Sequence, residues 1–249
     1  MILALATGLI FVVSAVFAML GMGGGMLHVP ILLWLGYPLK TVAQPVGILL
    51  NGLTTLVAMV IYARSELIDW RGTWGMALVA LLCAPLGSIV APLLPAETLI
   101  MLLVLMILFA ASRTLLTAAR PEPVDGPPNR LRKLAGLSVV GLAAFAGAML
   151  GLGGGTLISP MLMWLGYPTK RAVATSAFIV TVSSAAGFAG RVGHLDASWK
   201  LLLTLAVAVT LAAWLGSSLM VSHAKPQWVK YAYSVVLLGV GVKLVLPML

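Results

Sequence analysis

Acidic side chains are nearly missing from this chain, with six Asp and Glu in 249 residues against fifteen Lys and Arg. Charged residues of both signs make up only 8%, where soluble domains carry about 25%. So few charges cannot clothe a soluble globule of this size, and the rest of the surface must face lipid. The single cysteine, Cys83, excludes a disulfide framework and a thiolate metal site. Its apolar neighbours make it a packing residue. No basic stripe with interleaved aromatics is present, so the net charge of +9 does not signal nucleic acid. The cations lie between apolar runs and report membrane topology instead. No acid pair, His-Glu-x-x-His spacing or Gly-x-Ser-x-Gly elbow occurs, which argues against an enzyme, and nothing calls for a cofactor or a metal. The six carboxylates, Glu66, Asp69, Glu97, Glu122, Asp125 and Asp196, all fall in loops or at segment ends. The intramembrane acid that commonly couples a carrier to a cation is therefore lacking, and a cation cargo is disfavoured.

What is present is apolar, at 61% of residues, and it is duplicated. Residues 21–40 read GMGGGMLHVPILLWLGYPLK and residues 151–170 read GLGGGTLISPMLMWLGYPTK, identical at thirteen of twenty positions with an offset of 130. Weaker echoes pair Arg64, Asp69 and Trp70 with Arg191, Asp196 and Trp199, and Leu86-Gly87-Ser88 with Leu215-Gly216-Ser217. The plan is two repeats, 1–119 and 134–249, joined by a polar, Pro-rich linker over 120–133. The opening run MILALATGLIFVVSAVFAML lacks a basic leader region and is expected to stay as a membrane segment. Each half then has an apolar run before its glycines (2–20 and 135–150), a short one after them (26–36 and 156–166), and three fuller spans. Those spans are 42–63, 73–94 and 97–118 in the first half, and 172–190, 199–221 and 227–246 in the second. A crossing helix needs about 20 residues, so the short runs read as half-helices entered through an unwound glycine turn. The fold expected is an all-α polytopic membrane protein of two pseudo-symmetric, inverted repeats with about eight to ten membrane segments. Five crossings per half and a cytoplasmic linker put eleven of the fifteen Lys and Arg inside and both termini outside; four crossings per half, which would leave the repeats parallel, put ten inside.

An unwound backbone can persist in hydrocarbon only where it is packed in protein or lines a cavity. The helix that follows offers amides and a positive dipole end, which favour an anion. The expected cradle is Gly23, Gly24, Gly25 and Met26 with Gly153, Gly154, Gly155 and Thr156, near the midplane. Close helix packing is the alternative use of such glycines. Gln44, Asn51, Thr175, Ser176 and Thr181 on the following spans have groups that can donate to an oxyanion, although Ser and Thr also bond their own helix carbonyls. His28, whose repeat counterpart is Ile158, is a candidate for a coupling proton or an anion contact, or else a neutral histidine bonded to a neighbouring helix. Arg64 and Arg191 end long spans and either snorkel to the interface or attract the anion, Arg191 being the better candidate for the anion. Tyr37, Trp70, Tyr167 and Trp199 read as interfacial anchors.

The duplicated Gly-x-Gly-Gly-Gly, the Pro and Gly-Tyr-Pro that follow, and the later Arg, Asp and Trp resemble the TauE/SafE sulfite exporter family, also known as toluene sulfonate uptake permeases. The likeness runs over nearly the whole chain. It implies a multi-pass permease of the bacterial plasma membrane for sulfite, sulfonates or related sulfur-containing organic anions, driven by an ion gradient. Members of that family are commonly described with seven or eight spans. The partners implied are the anion, the lipid bilayer and protons as coupling ion, with a homodimer compatible. An anion channel, an uptake permease for another organic anion, and a non-transporting scaffold recruiting partners through the linker are the rival readings.

Overall fold

The computed structural model describes residues 2–118 and 130–222, so most of the linker and the expected last span, 227–246, lie outside the described residues. The described residues form helices: α1 (Ile2–Met19), α2 (Gly25–Trp34), α3 (Gln44–Arg64), α4 (Trp70–Val90), α5 (Ala96–Ala118), α6 (Arg130–Leu150), α7 (Gly155–Trp164), α8 (Thr169–Ala189) and α9 (Trp199–Ser222). A π-turn over Leu39–Ala43 leads into α3, and short 3-10 turns follow α4 and α8. The helix α6 opens inside the stretch expected as linker.

Long runs of Leu, Ala, Met and Val sustain these helices, and the few polar residues within them are absorbed locally. Thr54 and Ser217 donate to the carbonyls of Leu50 and Ala213 one turn back, as hydroxyls do where no water is at hand. Asp69 caps α4 by accepting from the Gly72 amide at 3.0 Å. Among the described residues four helical stretches are long and apolar enough to cross a membrane: Leu39–Arg64, Gly72–Leu93, Thr169–Ala189 and Trp199–Ser222. Their outward faces are set with Leu78, Leu82, Leu86, Leu203, Val207 and Trp214, all exposed, as lipid-facing surfaces are.

The main packing partners of these helices come from the opposite half of the chain. From the first half, α4 lies against α6 and α8; from the second, α9 lies against α1 and α3. Small residues allow the approach: a methyl on Gly87 of α4 would overlap the Phe145 carbonyl of α6, and one on Gly216 of α9 would overlap the Ala15 carbonyl of α1. These two contacts correspond through the repeat, which explains why Leu-Gly-Ser recurs. At the centre α3 and α8 cross antiparallel. Gln44 at the start of α3 meets Arg191 just past the end of α8, while Asp69 past the end of α3 meets Thr175 near the start of α8.

Candidate functional site

The two glycine turns, Gly21 to Gly24 and Gly151 to Gly154, are buried against each other and against the α3–α8 crossing. Gly23 and Gly153 have φ of 74° and 69°, a left-handed backbone that a side chain resists, so the chain can fold back here only on glycine. Gly25 and Gly155 serve closeness instead. A methyl on Gly25 would come within 2.7 Å of the Leu152 carbonyl oxygen, and one on Gly155 would overlap the Met22 carbonyl. Met22 and Leu152 occupy equivalent places in the repeat, so each turn seats the first residue of the other half's short helix.

Breaking a helix frees backbone groups, and side chains from both halves satisfy them. The Leu20 carbonyl accepts from Ser159 at 3.2 Å and the Gly21 carbonyl from Ser176 at 3.0 Å. The Met149 carbonyl accepts from Gln44 Nε2 at 3.1 Å and from Arg191 Nη2 at 3.0 Å. Asn51 is engaged at both ends: Oδ1 accepts from the Gly25 amide at 2.8 Å, and Nδ2 donates to Ser184 Oγ at 2.9 Å. It thereby caps α2 and joins α3 to α8. The Gly153 amide donates back to the Gly147 carbonyl at 3.1 Å, and the Gly153 carbonyl accepts from Ser183 at 2.7 Å.

The structure thus gathers Gly23, Gly24, Gly25, Asn51, Gly153 and His28 in one layer. His28 lies in α2 with Nε2 2.9 Å from Ser14 Oγ of α1, and Gly24 is small enough to seat its ring. Its Nδ1 is buried with no partner. Met26 and Gly155 are buried at the starts of the two short helices, and Gly154 precedes the second with φ 81°. Thr156 lies within α7, but its side chain is outside the described part. Thr175 is turned elsewhere, accepting from the Asp69 amide at 3.2 Å. Thr181 donates to its own helix at Ala177 and is half-buried. Asn51 reaches across the crossing to Ser184, not to its repeat equivalent Thr181.

Two helical turns along from Asn51 and Ser184, Gln44 and Arg191 close one end of the crossing. Arg191 is 1% exposed, so interfacial snorkelling does not describe it; Arg64, its weak repeat partner, is exposed. The guanidinium of Arg191 donates through Nη1 to Gln44 Oε1 at 2.7 Å, and its Nε has no partner. Both of its acceptors are neutral. Among the described residues the buried polar side chains include no Asp or Glu, so this is a buried cation without a carboxylate. Ser14, Ser159 and the Met149 carbonyl are the members of the site that the sequence did not single out. Ser14 alone had a signal, as one of two hydroxyls in the apolar run 2–20.

At the other end of the crossing Tyr167 is half-buried and donates to Asp69 Oδ2 at 2.8 Å. Burial, then the bond to Asp69 and its charge, push this phenol well above its usual range and keep it a neutral donor. Tyr167 is therefore tied into the fold and is more than an interfacial anchor.

The family model for Sulfite exporter TauE/SafE matches residues 6–244, nearly the whole chain. The chain belongs to the TauE/SafE family. Among curated relatives it is 27% identical over 233 residues to a protein named Probable membrane transporter protein YunE of Bacillus subtilis, covering 84% of this chain and 83% of the relative. It is 26% identical over 185 residues to Probable membrane transporter protein MJ0441 of Methanocaldococcus jannaschii, covering 71% of this chain and 67% of the relative. No solved structure is a significant match. With its long apolar helices, this TauE/SafE chain is a membrane-integral transporter.

Proposed function

We propose that the protein is a secondary transporter of the bacterial inner membrane for sulfite, a sulfonate or a related sulfur-containing organic anion. The anion is bound near the midplane between the two glycine turns and Arg191, and His28 carries a coupling proton. The observation that carries this reading is the buried guanidinium of Arg191, held by neutral oxygens alone. A buried cation without a counter-charge is costly, and an anionic solute offsets that cost when it binds.

The paired contacts of the two halves support inverted repeats, each with a half-helix begun at its glycine turn. Equivalent helices that cross antiparallel are related by an axis in the membrane plane, the symmetry on which alternating access operates. In the described conformation the site is closed, with Asn51, His28 and Ser184 no more than 1% exposed. Separation of the short helices from the α3–α8 crossing opens it. Asn51 then gives up Gly25, leaving a helix N-terminus and a side-chain amide facing the solute.

A thermal-shift screen of the detergent-purified protein with sulfite, sulfate, sulfoacetate, taurine, chloride and acetate tests this. A ligand that binds only the folded state at a hundred times its Kd adds about 2.7 kcal/mol. We expect stabilisation by a sulfur oxyanion that is lost in Arg191→Gln. Stabilisation by none of the anions would overturn the reading.

A further inference from the structure

Gln44 sits where an anion would sit. Its Oε1 lies 2.7 Å from Arg191 Nη1, and the side chain is held in that pose by its own Nε2, which donates to the Met149 carbonyl that Arg191 Nη2 also uses. All three groups are buried, at 1% exposure for Gln44 and Arg191 and 8% for Met149. The arrangement is a closed triangle of one cation and two neutral oxygens, with the unpartnered Nε at its edge. An amide oxygen satisfies a guanidinium without neutralising its charge. A carboxylate there would be a permanent counter-ion, and an aliphatic side chain would leave the cation bare.

From this we infer that Gln44 is an internal stand-in for the solute, and that the site takes a single negative charge, preferring monoanionic oxyanions over dianionic ones of the same shape. The inference rests on the anion site proposed above and adds to it the charge of the cargo. Its basis is a charge count. Arg191 is the sole Lys, Arg, Asp or Glu among the buried polar side chains of the described residues. With His28 in its neutral form, one negative charge on the solute neutralises it. A second finds no partner in a dry site, where an uncompensated charge is costly. Gln44 is placed to yield: it directly follows the π-turn Leu39–Ala43, a wide, loosely wound segment of the kind often found at functional sites. The equivalent helix of the other half, α8, begins without such a turn.

The test uses probes of fixed charge, since sulfite is a mixture of mono- and dianion near neutral pH. Methanesulfonate and sulfate are titrated into the purified full-length protein at one pH and ionic strength, followed by thermal shift and calorimetry. We expect methanesulfonate to bind at least roughly tenfold more tightly than sulfate. The second arm is Gln44→Glu, which gives Arg191 a resident counter-ion. This variant is expected to have a higher Tm than the wild type and no response to methanesulfonate, a combination that a misfolded or merely weakened protein does not produce. Equal or tighter binding of sulfate to the wild type overturns the charge selectivity. A stable Gln44→Glu protein that still binds methanesulfonate overturns the stand-in role of Gln44. If neither probe binds the wild type, and the wider anion screen is also blank, the anion site itself is wrong and the inference falls with it.

Discussion

Arg64 and Arg191 occupy related places at the ends of α3 and α8, yet one is exposed and the other fully buried. Charge at a helix end is cheap in water and costly inside, so burial is what singles out Arg191. His28 shows the same asymmetry, because its equivalent in the second half is Ile158. A histidine bonded on one side to Ser14 and bare on the other has a proton position to gain when the site opens. We expect His28→Gln to flatten the pH dependence of anion uptake by proteoliposomes, because imidazole is the side chain here that can gain and lose a proton as the site opens and closes. A profile of unchanged shape would remove His28 from coupling. The identity of these residues was visible in the sequence; their depth was not. The partners of Arg191 come from residues 44 and 149, and no local pattern joins three such distant points.

At the scale of elements, the turn and the short helix are a unit whose geometry the glycines impose. The motif was legible because left-handed backbone leaves a mark that only glycine supplies, at Gly23 and Gly153. The satisfaction of the broken backbone was not legible, since Ser159, Ser176, Ser183 and Asn51 each reach a carbonyl or amide of another segment. The sequence also left open whether those hydroxyls face solute or protein, and in the closed conformation they face protein. Two alanine substitutions separate position from propensity. Gly8 lies in α1 with open space around it, so Gly8→Ala is expected to raise stability by about 0.5–1 kcal/mol. Gly25→Ala drives a methyl into the Leu152 backbone and is expected to cost at least about 1–3 kcal/mol. Thermal unfolding of the two variants in the same detergent checks the contrast, and equal effects would contradict the packing of the turns.

For the whole molecule, the antiparallel crossing of α3 and α8 makes a statement about sidedness. Glu66 follows α3 and Gly193 follows α8, both exposed. Inverted halves place them on opposite sides of the membrane, with Glu66 in the cytoplasm if the linker is there. In a Cys83→Ala background, Glu66→Cys and Gly193→Cys are expected to react with a membrane-impermeant maleimide from opposite faces. Labelling of both from one face would exclude the inverted arrangement. The duplication was plain from thirteen identities in twenty residues, but the packing of each half on the other was not, because an apolar helix surface looks alike whether lipid or protein covers it.

That packing has a consequence for how the molecule comes to exist. The ribosome delivers α1 to α5 before α6 to α9, yet α4 finds its partners in α6 and α8, and α1 and α3 find theirs in α9. Helices α1, α3 and α4 must therefore wait in the bilayer with these faces unmatched until the rest of the chain has been inserted. Assembly is governed by contacts far apart in sequence, which form late and slowly. The interval between the two halves leaving the ribosome is when this protein is most open to wrong pairing and to degradation.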